Sequence, residues 1–390
     1  MTETKTGENL FFEYMLFLQK EGFSIIRANL ASRSIHPQVE AFSYTFFNNK
    51  IGLKTVLTLT NSQQDLIYTN SEYSLIANRF SSGALRNSAY RASPIYLVFE
   101  TKKPYSYKIP KDALEFPYSL MQDLHEVGGT EYHAVPIFPY NSAPVFLSYS
   151  TNREGGFTEE MKEQLNLFSR IFSTRWGSYA MYDMMSVLLQ TYLGKLTGSQ
   201  VLSGKINRGD IEEIDSVIWF SDMRNYTSLS QNHSNEEVLQ ILNQYFEIVI
   251  PLIEECGGEV LKLIGDAILA VFPIRKGYEK QTHFRSLVCA RRSIDELKEY
   301  SSKKEFPISH GIGLHSGKVK YGNIGSEDRL DFTVIGDAVN LTSRIASLCS
   351  KFEKSVLASE EFSDQVEVPW VDLGPQNLKG FSAEKSIYGL

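Results

Sequence analysis

The chain has 390 residues, 42% hydrophobic and 22% charged, with a formal net charge of -7. That balance supports buried cores and excludes wholesale disorder, and at roughly 150 residues per domain it implies two or three domains. It offers no basic face for nucleic acid and no polybasic anchor for an anionic membrane. No apolar run approaches the roughly 18 residues of a spanning helix. The opening stretch MTETKTGENLFFEYM carries acidic residues where a secretory leader carries positive charge. Cys256, Cys289 and Cys349 show no metal-ligand spacing and leave one cysteine unpaired, which suits a reducing interior. Together these features predict a cytoplasmic protein.

The first half is predicted to hold short aromatic strands at 41–48, 56–60, 94–100, 132–140 and 144–150. Asn141, Ser142 and Ala143 make a hairpin-length link between the last two. A long helix is predicted from Thr158, an N-cap after Gly155 and Gly156, with Met161, Leu165, Phe168 and Phe172 on one stripe. Tyr179 and Tyr182 prolong that stripe, and the length leaves room for a dimerising role. Residues 186–214 are rich in glycine and poor in bulky apolar residues, so they are predicted to form a helical, glycine-containing connector between residues 1–185 and 215–390.

Beyond the connector, strands and helices alternate. SVIWFSD (216–222) is predicted as a strand ending at an aspartate. Ser234 with Glu237 forms a capping-box pattern, and Val238, Leu242, Tyr245, Val249 and Leu252 make the apolar face of the helix that follows. Residues 260–264 and 267–272 pair as a hairpin around Gly265-Asp266. A second helix runs from about Glu279 to Tyr300, followed by a strand over 307–317. The order β-α-β-β-α-β predicts an α+β fold of the ferredoxin-like, or palm, type.

Several residues in this half are suited to chemistry. Asp222 alone reads as a turn or cap residue, and Asp266 alone as a hairpin-tip aspartate. In a palm fold the end of the first strand and the tip of the adjoining hairpin lie side by side. Two carboxylates brought together there repel unless cations sit between them. Magnesium, with one or two carboxylates plus substrate phosphates, suits such a place. Lys262, in the apolar strand VLKLI, either snorkels to solvent or meets a partner in a cleft. Asp337 is predicted as a helix N-cap after Gly336. Asn340 and Arg344 share one face of that helix, either solvated or aimed together at one phosphate. Arg329 is equally compatible with an exposed loop charge.

FSDMRNYTSLS, GGEVLKLIGDAILAVF, HSGKVKYGNIGSEDRLDFTVIGDAVNLTSRI and LKGF, in that order, resemble the catalytic domain of class III nucleotidyl cyclases over about 215–390. The resemblance implies a homodimer with two composite sites at the subunit interface. It implies that Asp222 and Asp266 hold two divalent cations, Mg²⁺ or Mn²⁺, from one subunit. It further implies that the second copy supplies Lys262 and Thr333 to the base, and Asn340 and Arg344 to the ribose and α-phosphate. Arg329 and Lys379 would neutralise the outer phosphates. Backbone N–H groups at Asn225, Tyr226 and Thr227 would cradle the triphosphate. Family members commonly have glycine where this chain has Asn225; asparagine is the next best residue at positive φ, so the turn is expected to survive.

Hydrogen-bond polarity favours ATP over GTP as substrate. Lys262 only donates and Thr333 can accept, which matches the N1 acceptor and N6 donor of adenine. A guanine reader wants an acceptor such as Glu, absent at position 262. A guanylyl cyclase and a catalytically silent, cyclase-like interaction module are the alternatives. GGEV (257–260) also superficially resembles the diguanylate cyclase signature, but it lacks the Phe and closes a helix.

Residues of about 20–185, through RASPIYLVFETKKPYSY, GGTEYHAVPIFPYNSAPVFLSYST and GFTEEMKEQLNLFSRIF, are similar to a degenerate GAF-type sensory domain of α/β architecture, although strand-plus-helix order alone would also suit a PAS-like domain. A regulatory role and a possible small-molecule ligand are implied. No cysteine precedes Cys256, which excludes a thioether-linked bilin. His36, His125 and His133 lack metal-ligand spacing, so packing or surface roles are expected.

Overall fold

The computed structural model describes residues 6–36, 39–51, 63–81, 83–138, 143–303 and 307–390. Contacts divide the chain into two compact units, Met1–Leu188 and Leu189–Leu390. No helix among the described residues is long and apolar enough to cross a membrane.

The N-terminal unit contains α1 (Gly7–Lys20), β1 (Ile25–His36), β2 (Val39–Asn48), β3 (Gln63–Thr69), β4 (Tyr73–Phe80), α2 (Ser88–Arg91) and α3 (Pro94–Thr101). It continues through β5 (Tyr105–Lys108), α4 (Ser119–Glu126), β6 (Glu131–Ile137), β7 (Val145–Thr151) and α5 (Glu159–Leu193). The seven strands form one sheet in the order β3-β4-β2-β1-β7-β6-β5. One sheet face buries Ala28, Leu30, Phe46, Leu75 and Leu147 against Phe11, Met15 and Leu18 of α1 and Leu165, Phe172 and Trp176 of α5. The other carries Tyr132 and Phe146 against Val98 of α3 and Met121 and Leu124 of α4.

Three of the five predicted aromatic strands are present, as β2, β6 and β7. The strand predicted at 56–60 lies outside the described residues, as does the tip of the 141–143 hairpin. The segment 94–100 is corrected: it is helix α3. Ser93 Oγ accepts from Tyr96 N at 3.5 Å, and Pro94 occupies the first turn, where its missing N–H costs nothing. Local capping therefore outweighs the β-propensity of IYLVF. Thr158 caps α5 as expected, its Oγ1 accepting from Met161 N at 3.2 Å. His133 is a satisfied core residue, its two ring nitrogens bonded to Ser106 and Asn166.

The C-terminal unit contains α6 (Lys195–Leu202), β8 (Ile211–Met223), α7 (Tyr226–Asn232), α8 (Asn235–Glu255), β9 (Glu259–Ile264), β10 (Ala267–Pro273) and α9 (Glu279–Ser301). After these come β11 (His310–Gly325), β12 (Leu330–Ile335), α10 (Asp337–Ser347), β13 (Val356–Ser359), α11 (Glu360–Ser363), β14 (Val371–Gln376) and β15 (Lys385–Gly389). The sheet runs β14-β15-β13-β11-β8-β10-β9, and β12 pairs with β11. Its middle, β11-β8-β10-β9, is the ferredoxin-like order with α8 and α9 as the two crossovers. Successive β8 residues serve opposite faces. Val217 and Trp219 pack under α8 and α9, and Ile218 packs with Val319, Tyr321 and Phe332 on the reverse.

The Ser234–Glu237 capping box is formed. At the other end of this unit's entry, Glu259 of β9 accepts from Leu196 N at 2.8 Å and Thr197 N at 3.1 Å, tying the first turn of α6 to the sheet. Helix α10 lies unusually close to β11. A Cβ on Gly313 would sit 2.5 Å from Thr342 O and 2.6 Å from Ala346 N. Gly313→Ala should therefore push α10 off the sheet and lower stability by about 1–3 kcal/mol. The midpoint of urea unfolding, followed on this chain and on the variant, measures that loss.

Candidate active site

The site begins with strand pairing. In the β8–β10 register Ser221 faces Ile268, which brings Asp222 opposite Ala267 and next to the hairpin tip. Gly265 takes φ +66° at that tip, a conformation glycine adopts without strain. The Asp222 and Asp266 carboxyls consequently share a hydrogen bond, although the two residues lie 44 positions apart in the chain. Met223 N–H also donates to the Asp266 carboxyl. Burial, then the hydrogen bond and charge of Asp222, push the Asp266 pKa up to about 7. Neither aspartate has a Lys, Arg or His ion-pair partner among the described residues.

Beneath this pair lies a buried polar chain. Trp219 Nε1 donates to Ser221 Oγ at 3.0 Å, Ser221 Oγ meets Tyr245 OH at 3.1 Å, and Tyr245 OH meets His310 Nδ1 at 3.1 Å. Ser293 Oγ closes the chain on His310 Nε2 at 3.1 Å. Burial, helped by the Arg224 charge, lowers the His310 pKa to about 3, so this imidazole is neutral at physiological pH. The chain fixes the last turn of β8 to α8, α9 and β11. None of its members was expected from the sequence; the one available signal was Ser221, a hydroxyl at an inward position of an apolar strand.

Asn225 takes φ +60° and ψ +20°, the left-handed turn expected in place of glycine, and opens α7 at Tyr226 and Thr227. On the neighbouring hairpin, β9 has a bulge: Lys262 faces Leu269 and Val260 faces Ala270, leaving Leu261 unpaired. Such an extra residue re-aims the side chains beside it. Lys262 forms an ion pair with Asp331 of β12. Thr333, buried and opposite Gly322, lies two residues along the same strand and so on the same face as Asp331.

Helix α10 carries the remaining donors. Gly336 is its N-cap, so Asp337 is the first helical residue; this corrects the predicted cap. At φ +149° Gly336 occupies backbone space an L side chain rarely adopts, which leaves the cap to glycine. Asn340 and Arg344 lie exposed and four apart on the helix. Neither side chain makes a hydrogen bond or ion pair among the described residues. Arg329 is exposed before β12, and Lys379 is exposed beside the buried anchor Leu378. Among the described residues no hydrogen bond or ion pair joins the side chains of Asn340, Arg344, Arg329 or Lys379 of this copy to its own aspartate pair.

Residues 210–385 match the family profile described as the adenylate and guanylate cyclase catalytic domain. The C-terminal domain belongs to that family. The cyclase domain is 33% identical over 145 residues to the terminal-differentiation-specific adenylate cyclase of Dictyostelium discoideum, covering 37% of this chain and 7% of that protein. It is 35% identical over 158 residues to an adenylate cyclase of Anabaena cylindrica, covering 39% of this chain and 31% of that one. The chain thus spans less than a third of either relative. A solved bacterial light-regulated adenylyl cyclase aligns at 28% identity and a TM-score of 0.41, over 46% of this chain and 91% of that one.

The donors of the cyclase domain fit divalent cations. The family uses them generally, and two hard oxygen donors in contact, short of a counter-charge, match Mg²⁺ or Mn²⁺ completed by phosphate and water. Among the described residues no cluster of three or more His, Cys, Asp or Glu side chains offers a fuller all-protein cage.

The pair sets a pH dependence for the metal-free chain. Between the ordinary carboxyl range and about 7 the folded state keeps a proton on Asp266 that the unfolded state has lost. This contribution to stability therefore falls as pH rises to about 7 and levels off above it. Thermal unfolding in chelator should show wild type losing ground to Asp266→Asn from pH 5 to pH 8. Added Mg²⁺ should remove most of that difference at the upper end.

Proposed function

We propose that this chain is an adenylate cyclase that works as a homodimer and converts ATP to 3′,5′-cyclic AMP and pyrophosphate. The observation that carries this reading is the division of the site. Asp222 and Asp266 meet in one copy, whereas the exposed Asn340 and Arg344 side chains make no hydrogen bond or ion pair among the described residues of that copy. A second copy brought against the first would complete the constellation. Exposed aliphatic side chains near these elements, Leu263, Ile264, Leu330 and Ile335, support such a contact. On α5, residues 167, 171, 174, 178, 181 and 185 are exposed at alternating steps of four and three, among them Leu167, Ile171, Met181 and Met185. That is the spacing of a coiled-coil seam, and it supports a paired connector.

In the reaction the ribose 3′-oxygen attacks the α-phosphorus in line. A new O–P bond forms, the bond to the bridging oxygen of the β-phosphate breaks, and the hydroxyl proton leaves to solvent. Two divalent cations at Asp222 and Asp266 would supply activation of the hydroxyl and neutralisation of phosphate oxygens. Arg344 would hold the charge growing on the α-phosphate, and Asn340 would orient the ribose. The backbone N–H groups at Asn225, Tyr226 and Thr227 would take the triphosphate, and Arg329 and Lys379 its outer charges. Lys262 and Thr333 would read adenine; the Asp331 carboxylate keeps the ammonium poised before the base arrives. The N-terminal unit would regulate the enzyme as a GAF-like sensor, a role supported by its antiparallel sheet covered by helices on both faces.

Asp222→Ala and Arg344→Ala should each lower cyclic AMP formation by about 100-fold or more while the circular dichroism stays unchanged. Mixed in equal amounts, the two should recover about a quarter of wild-type activity, because half the random dimers are mixed and each keeps one whole site. No recovery despite demonstrated mixed dimers would contradict composite sites. Lys262→Glu should reduce turnover of ATP by at least about tenfold relative to GTP. Mass spectrometry of the products from an ATP and GTP mixture checks this, and an unchanged preference would refute the base assignment.

A further inference from the structure

The second sheet face of the N-terminal unit is unusual for a protein interior. Arg27 and Asn29 of β1, Thr45 of β2, Asn78 of β4 and Ser148 of β7 all lie on it, and all are at least nine-tenths buried. Arg27 lies opposite Phe47 on one side and Ser150 on the other. Its Nε and Nη1 have no hydrogen-bond partner, and neither does the Ser150 hydroxyl beside it. The charges of Tyr132 and Asp123 act on Arg27 through space. A buried guanidinium with two of its three nitrogens unpaired is costly unless something else satisfies them.

Arg27, Asn29, Thr45, Asn78 and Ser148 line a cavity of about 160 Å³ that also touches Ser93, Ile95 and Tyr118. That is room for about five waters at ~30 Å³ each. Among the described residues Arg27 is the only charged one in its lining. A second cavity of about 280 Å³ adjoins it at Ala89, Ser93 and Ile95, and its far wall is apolar, with Phe80, Leu85 and Phe99.

We propose that the N-terminal unit binds a small organic monocarboxylate, its carboxylate clasped by Arg27 and its apolar part directed toward Phe80 and Phe99. One guanidinium balances one negative charge, and its planar fork matches two carboxylate oxygens. Asn29, Thr45 and Asn78 supply neutral polar contacts around that head. A phosphate ester would bring more charge than the lining can neutralise. The site is independent of the cyclase assignment, because binding is read without turnover.

Thermal unfolding of the full chain in butyrate, benzoate, inorganic phosphate and chloride, at constant ionic strength, tests the proposal. Butyrate or benzoate should raise the unfolding temperature with a saturating concentration dependence, and phosphate and chloride should not. Arg27→Met should abolish that response and raise the unfolding temperature without ligand, since it removes an uncompensated charge. Arg27→Lys keeps the charge without the fork and should weaken the response at least tenfold in concentration, so it carries the test if Arg27→Met does not fold. A carboxylate response that survives either substitution, an equal response to phosphate, or no response to any of the four anions would overturn the proposal.

Discussion

The antiparallel pairing of β8 with β10 is the constraint on which the cyclase domain depends. It sets two carboxylates against each other at one end of a sheet whose interior is apolar. Burial first, and then the neighbouring Asp222 carboxyl, raise the Asp266 pKa, so the fully charged pair opposes folding. On the proposed reading, cations held between the two carboxylates would relieve that cost. The surrounding structure supplies the rigidity. Trp219, Tyr245, Ser293 and His310 fasten the strand from below with fully paired polar atoms, and such networks specify one arrangement when every member is satisfied.

The same sheet places the second half of the constellation elsewhere. Gly313 lets α10 press onto β11, and that close approach fixes the height at which Asn340 and Arg344 project. Among the described residues their side-chain donors make no hydrogen bond or ion pair in their own copy. On the proposed reading, separating the carboxylates that would hold cations from the donors that would hold phosphate would make turnover a property of assembly. A device that alters the spacing of two copies can then alter activity without changing any reacting residue.

Much of this was legible in the chain before any coordinates. Strand 216–222, the Gly265-Asp266 tip and the Ser234 box rest on local rules, and each is present. The left-handed Asn225 followed from the conformational tolerance of asparagine. The errors have equally local causes. Residues 94–100 look like a strand by composition, yet Ser93 and Pro94 form a helix start that outweighs it. Strand β1 went unnoticed because Arg27 and Asn29 point inward, which inverts the usual alternation. The Lys262–Asp331 pair and the His310 network join residues 69 and 65 positions apart or more closely spaced members of different elements, so no short-range pattern announces them. Polar residues turned inward are the common thread: they defeat pattern reading where the fold prepares a site.

Cation binding by the acid pair is the claim from which the rest follows. Electron paramagnetic resonance of Mn²⁺, titrated into the full chain with a non-cyclisable ATP analogue, tests it most directly. Wild type should deplete the free Mn²⁺ signal in proportion to protein, and Asp266→Asn should leave that signal nearly undiminished. Equal Mn²⁺ uptake by the variant would contradict the account.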